Sequence, residues 1–236
     1  MIDDQRYIDI PQRTPDGTAN PEWLAMRSGL LTSSKIHAIR PPAKLTKKDG
    51  TPRKIQELES RRKLKRDLVF ERETGLTMPG YKDEWIQRGI EMEDTAVMAY
   101  QFKMDVEILR IGFVLHPSIG MAGASWDGYI PEKRRLVEIK CPAPHTHWQY
   151  LISGEIPAQY LAQMNWQLAC EPEMEANDFV SYCPMMRPEH QLFIRRLNRD
   201  NAVIAAMEAE ATKFLAEVDQ AVLEFRERMK ILPKYL

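Results

Sequence analysis

Residues 125–142 read SWDGYIPEKRRLVEIKCP, two strand-like runs on either side of a Pro-Glu-Lys-Arg turn. A hairpin folded about Glu132 and Lys133 sets Asp127 opposite Glu138, because both are equally far from the centre of the turn. Strand alternation then puts Glu138 and Lys140 on one face and Ile139 on the other. Opposed strand positions lie roughly 4.5–5.5 Å apart at Cβ, so the two carboxylates can converge on one hard divalent cation. Magnesium takes oxygen ligands, keeps several waters, and is often held by one or two carboxylates plus substrate phosphate. Asp127 and Glu138 therefore read as magnesium ligands, with the Ile139 carbonyl as a further candidate, and manganese is expected to substitute. Lys140 beside a metal-bound water can orient it, help remove its proton and offset charge developing at phosphorus. The same spacing also describes an exposed hairpin face carrying an Asp-Glu-Lys ion-pair cluster, so the surrounding sequence has to decide.

Working outward, residues 84–102 carry Ile90, Val97 and Tyr100 at helical spacing, and Glu93 falls on that stripe. Burying an unpaired carboxylate is costly, so Glu93 is expected to serve as an extra metal ligand. Residues 21–42 read as a short helix, a Thr/Ser-rich cap and a second helix; Arg27 and Ser34 flank that second helix start, where backbone N–H groups and a guanidinium suit an anion. Downstream, Gln163 lies at helical spacing from Tyr160 and Gln167. Strands are expected at 106–116, 121–130, 135–141, 178–184 and 191–197, with helices at 54–73, at 84–102, across 145–170 in two pieces, and at 199–230. That alternation predicts an α/β class: one central mixed five-stranded sheet flanked by helices, a single domain over 1–236 with an N-terminal helical arm and a long C-terminal helix.

Composition narrows the class. With 236 residues, 44% hydrophobic and 28% charged, the chain can bury a core without disulfides, and dominant disorder is excluded. Cys141, Cys170 and Cys183 lack CxxC spacing and read as small buried hydrophobes. Neither a secretory signal nor a spanning segment is legible, so a cytoplasmic protein without membrane contact is expected. The net charge of −1 says little, but residues 44–66 hold ten Lys or Arg against three Asp or Glu. That run is either a solvated helical segment or a phosphate-tracking surface.

Five short marks in order carry a resemblance: W-x3-R-x-G-x2-T-x-S over 23–34, R-G-x3-E over 88–93, S-x-D-G over 125–128, E-I-K-C-P over 138–142 and Y-x2-Q over 160–163. They resemble the phage-type alkaline exonucleases, the lambda-exonuclease or YqaJ-like viral recombinase family of the restriction-endonuclease-like superfamily. The resemblance implies that Asp127 and Glu138 ligate metal, that Lys140 is the catalytic lysine and that Glu93 is the helix carboxylate beside the metals. It implies a 5′-phosphate pocket at Arg27 and Ser34 and an active-site glutamine at Gln163, with Tyr160 and Lys44 on the substrate. Trp126 stands where the family usually has proline. The family digests one strand of linear duplex DNA from the 5′ end, forms ring-shaped trimers and works with a single-strand annealing protein. In such a ring Lys44, Lys47 and Lys48 would contact the duplex or track the product strand, while Trp85 and Ile86 would part the terminal bases or pack in the core. A restriction-type endonuclease and a noncatalytic DNA-binding protein remain the alternative readings.

Overall fold

The computed structural model describes residues 5–14, 17–39, 58–78 and 84–231, with 84–90 and 231 described by backbone only. Lys44, Lys47 and Lys48, and the side chains of Trp85 and Ile86, lie outside the described residues. In chain order the elements are β1 (Tyr7–Ile8), α1 (Pro21–Met26), β2 (Leu31–Thr32), α2 (Glu59–Thr74), α3 (Glu84–Met104), β3 (Phe113–Leu115), β4 (Ala122–Ala124) and β5 (Gly128–Ile130). There follow β6 (Arg135–Lys140), α4 (Pro144–Ser153), α5 (Ala158–Cys170), β7 (Ala176–Tyr182), β8 (Leu192–Asn198) and α6 (Asn201–Ile231).

The expected mixed α/β class holds, but the strands form two four-stranded sheets instead of one sheet of five. The principal sheet runs β5-β6-β7-β8, with β6 and β7 parallel and the outer pairs antiparallel. The second runs β1-β3-β4-β2. The strand expected over 121–130 divides between them. Its first half pairs with β3 and β2, and its second half with β6. Between the halves, the Ser125 carbonyl accepts the side-chain amide of Gln167 at 2.8 Å and the Trp126 indole is buried at 2% exposure, so neither residue continues a ladder. The strand expected over 106–116 is likewise shortened to β3.

Central position explains why β6 and β7 are buried although both carry polar side chains: β7 is buried at every residue and β6 from Leu136 to Ile139. Val137, Ile139 and Val180 pack against Ala96, Val97 and Tyr100 of α3 on one face. Leu136 joins Ala162 and Trp166 of α5 on the other. Asp200 caps α6 by accepting the backbone N–H groups of Ala202 and Val203. Ile204, Met207, Phe214, Leu215, Val218 and Val222 of α6 bury against α2 and α5, whereas Phe225, expected on the same face, is exposed. Arg61 of α2 is buried between Glu210 and Glu217 of α6 with its guanidinium over Phe214. Arg62, Lys63 and Arg66 pair with Glu59 or Asp67 of the same helix and remain exposed. All three cysteines are buried and free. Among the described residues no helix is long and apolar enough to cross a membrane.

His116 makes stability depend on acid. Its ring stacks on Trp166, and the backbone N–H groups of Ser118 and Ile119 donate to Nδ1, fixing that nitrogen as an acceptor. Burial lowers its pKa to about 4, aided by Arg6; Glu208, 3.3 Å from Nε2, does not reverse this because the proton would have to enter at Nδ1. A depressed folded pKa means that the unfolded chain binds the proton first, from about 6.5 downward. Stability is therefore full above that value and falls by on the order of 3 kcal/mol as pH drops to about 4. The denaturation midpoint of His116→Asn, compared with wild type at neutral pH and at the acid end, should show a shallower loss. Equal acid slopes would contradict this account.

Candidate active site

Asp127 stands one residue before β5, and its N–H donates to the Val137 carbonyl at 3.1 Å, extending the register Gly128↔Val137 by one step toward Glu138. Its Oδ2 accepts the Ile139 N–H at 2.7 Å, so the carboxylate is fixed against β6. Alternation along β6 places Glu138 and Lys140 on the same face, where the Lys140 ammonium donates to Glu138 Oε1. Ile139 turns to the α3 side. Helix α5 crosses the Glu138 face and contributes two glutamines one turn apart. Gln163 Nε2 donates to Glu138 Oε1 at 2.6 Å, and Gln167 Nε2 to Oε2 at 2.5 Å. One turn earlier, the Tyr160 ring lies 5.4 Å from Lys140 Nζ, within cation–π range.

Burial dominates the electrostatics. Glu138 is 1% exposed, and burial pushes its carboxyl up to about 7, with Lys140 opposing the rise and the Asp127 charge adding to it. Burial alone would lower the Lys140 pKa, but Glu138 and Asp127 outweigh it and raise it, so the ammonium stays charged. Three N–H donors converge on Glu138, an arrangement that suits the ionised carboxylate and an intact ion pair.

A cavity of about 190 Å³ opens beside Asp127, lined also by Glu93, Arg13, Arg110 and Trp126. Glu93 is not enclosed in the core as its stripe implies. It is a quarter exposed and sits at this cavity, 3.3 Å from Arg13 and 3.9 Å from Arg110. Burial raises its pKa, and repulsion from Asp127 adds to the rise against the pull of the two arginines.

The anion-attracting helix start expected at Arg27 and Ser34 is not formed. Arg27 follows the last residue of α1, so it occupies a helix C-terminus, and the second helix is only a single 3₁₀ turn at Ile36–Ala38. So short a turn has little dipole. The Arg27 guanidinium lies 3.8 Å over Trp23 and 5.8 Å from the Phe113 centroid, and burial lowers its pKa to about 10 against the pull of Glu71. Its Nε is buried without a hydrogen-bond partner. Ser34 is exposed, its hydroxyl 3.2 Å from that of Thr32. Both residues sit on a segment tied to α2 by buried Glu71, which accepts the Gly29 N–H at 2.9 Å and the Lys35 ammonium at 2.8 Å. Gly29 takes φ +73°, and a Cβ there would meet Arg72 Cγ at 2.6 Å.

The donor set fits a hard cation. Among the described residues no group of three His, Cys, Asp or Glu forms a ready metal cluster. Asp127 and Glu138 are the two carboxylates that could hold a hard cation such as magnesium, which often takes one or two carboxylates and completes its shell with water and substrate phosphate. Their donors are all oxygen, and Asp127 raises the carboxyl pKa of both Glu138 and Glu93, a repulsion that a divalent ion relieves.

Residues 22–174 match the YqaJ-like viral recombinase domain, a span that holds Arg27, Ser34, Glu93, Asp127, Glu138, Lys140 and Gln163. The chain belongs to the YqaJ-like viral recombinase family. This YqaJ-like chain is similar, over 91% of its length and the whole of the other chain, to an alkaline exonuclease (LHK-Exo) from Laribacter hongkongensis, with 30% identity and a TM-score of 0.79. The same exonuclease in complex with dAMP matches over 90% of this chain and 100% of that one, again at 30% identity and TM-score 0.79. A phage-related exonuclease from Haemophilus somnus 129PT shares the fold over 83% of this chain and 96% of that one, with TM-score 0.63 at 14% identity. No curated protein sequence matches. The family and the exonuclease likeness support a nuclease role in recombination.

Three residues at the YqaJ-like site had no assigned role in the sequence. Gln167 was visible as the helical neighbour of Gln163, and two glutamines one turn apart facing an acidic strand would have marked it. Arg13 and Arg110 carried no signal, since they reach Glu93 from other parts of the fold.

Proposed function

We propose that this chain is a magnesium-dependent exonuclease that degrades one strand of linear duplex DNA from its 5′ end, for recombination by single-strand annealing. The observation that supports it most is the buried Glu138 carboxylate, held by Lys140, Gln163 and Gln167 beside Asp127, in a chain similar to an alkaline exonuclease over nine-tenths of its length. Asp127 and Glu138 would hold magnesium or manganese, with Glu93 and the Ile139 carbonyl as further ligands. The bound metal would supply an activated water and polarise the scissile phosphate. Lys140, kept cationic by its neighbours, would stabilise negative charge at the phosphate rather than act as a free base. Gln163 and Tyr160 hold Lys140 and Glu138 from the α5 side.

Arg27 is assigned to the 5′-terminal phosphate with Ser34; its stacked guanidinium with an unsatisfied Nε supports the assignment. Lys44 is assigned to the duplex. A trimeric ring enclosing DNA, and an annealing protein as partner, complete the proposal. If each cut regenerates a phosphorylated end, a substrate lacking the 5′-phosphate should be degraded at least about tenfold more slowly, the scale of one lost charge-assisted contact. A time course with magnesium on linear duplex, 5′-phosphorylated or dephosphorylated, with closed circles alongside, tests the reading. Release of label from the 5′ end of linear duplex alone is the expected result. Rapid cutting of closed circles would establish an endonuclease instead, and equal rates on both ends would remove Arg27 and Ser34 from their role.

A further inference from the structure

One buried amide joins the two strand segments that carry the carboxylates. Gln167 is fully buried, and its Nε2 donates one N–H to the Ser125 carbonyl at 2.8 Å and the other to Glu138 Oε2 at 2.5 Å. Ser125 lies two residues before Asp127, at the point where the chain passes from one sheet to the other. Behind Gln167, Asn177 of β7, also fully buried, donates its Nδ2 to Gln167 Oε1 at 2.6 Å. The amide orientation is fixed by chemistry: the Ser125 carbonyl and the Glu138 carboxylate only accept, so the Gln167 nitrogen must face them and its oxygen must face Asn177.

Resting on the nuclease reading above, we infer that Gln167 is a positioning residue whose side-chain amide, oriented by Asn177, sets the spacing and orientation of Glu138 relative to Asp127 for a divalent cation. Lys140 and Gln163 both act on Glu138 Oε1, which leaves Gln167 as the donor to Oε2. Without it the carboxylate can rotate about its last torsion, and the Ser125 segment loses its tie to α5. Groups that orient ligands in this way typically change metal affinity or activity by about 10- to 100-fold.

Gln167→Met keeps the side-chain length and removes both donors; Asn177→Ala acts at one remove and touches neither carboxylate. Calorimetric titration of each protein with Mn²⁺, without DNA, reads the ion's affinity directly. A magnesium titration of duplex hydrolysis reads the same property under turnover, and thermal unfolding without metal reports the fold. Gln167→Met should weaken Mn²⁺ binding by about 10- to 100-fold, and Asn177→Ala by less in the same direction. Adding Asn177→Ala to Gln167→Met should weaken it no further, since Asn177 works through Gln167. A purely structural role would lower the unfolding temperature of the variants and leave the Mn²⁺ affinity within twofold of wild type, which overturns the inference. Should Gln167→Met fail to fold, Asn177→Ala decides: wild-type Mn²⁺ affinity in that variant overturns it equally. A wild-type protein that neither binds Mn²⁺ nor hydrolyses DNA overturns the nuclease reading itself, an outcome separate from the failure of Gln167 alone.

Discussion

Lys140→Ala is expected to lower the rate of duplex hydrolysis at saturating magnesium by on the order of a thousandfold, the scale of removing one preorganised charge from the reacting phosphate. The ammonium is held on buried Glu138 while the Lys140 side chain is about a quarter exposed, so its charge is only partly screened by solvent and is fixed in direction by the carboxylate. Its removal has an opposite effect on the metal. Lys140 competes with a divalent ion for Glu138, so Lys140→Ala should bind Mn²⁺ at least as tightly as wild type while losing turnover. Single-turnover hydrolysis of end-labelled duplex beside calorimetry separates the two. Weaker binding with unchanged turnover would place Lys140 outside the chemistry.

Asp127→Asn should give the converse pattern: Mn²⁺ affinity reduced by at least about a hundredfold and hydrolysis reduced by on the order of a thousandfold or more. The fold should be spared. Asparagine still presents an oxygen to the Ile139 N–H, the contact that Asp127 Oδ2 now makes. Removing the charge also relieves the repulsion that raises the carboxyl pKa of Glu138 and Glu93, so without metal the variant should unfold no earlier than wild type. An Asp127→Asn protein that binds Mn²⁺ normally would exclude Asp127 as a ligand. One that unfolds many degrees lower would mean that the carboxylate serves the hairpin instead of a metal.

The two variants matter together because Lys140 holds the buried Glu138 carboxylate and the Asp127 charge acts on the same group. Opposite shifts in Mn²⁺ affinity, with a loss of rate in both, distinguish the group that serves the ion from the one that serves the phosphate. Common destabilisation would give parallel changes in both measurements.

Local periodicity made the centre of the site legible. Asp127 stands opposite Glu138 in the hairpin register because a short hairpin with a symmetric turn leaves little choice, and Glu138 shares a face with Lys140 because strand alternation is a property of the backbone. The stripe of α3 was equally local, since Val97 and Tyr100 repeat at the helical period and both are buried. Where the reading departed from the structure, long-range packing intervened. The run 121–130 looks like one strand, yet Gln167 takes the Ser125 carbonyl and Trp126 enters the core, so the ladder breaks there and the halves join different sheets. Residues 36–38 form only a 3₁₀ turn, and Arg27 stacks on Trp23 at the end of α1 instead of facing a helix start.

The sequence by itself therefore determined the α/β class, the hairpin and the three charged groups placed along it, because each follows from spacings of a few residues that the backbone geometry converts directly into direction. The tertiary structure alone decided that two glutamines of α5 close over Glu138, that Arg13 and Arg110 reach Glu93, and that the strands divide into two sheets. Those contacts join residues far apart in the chain, and their partners are selected by how helices and sheets pack, a choice that no local pattern encodes.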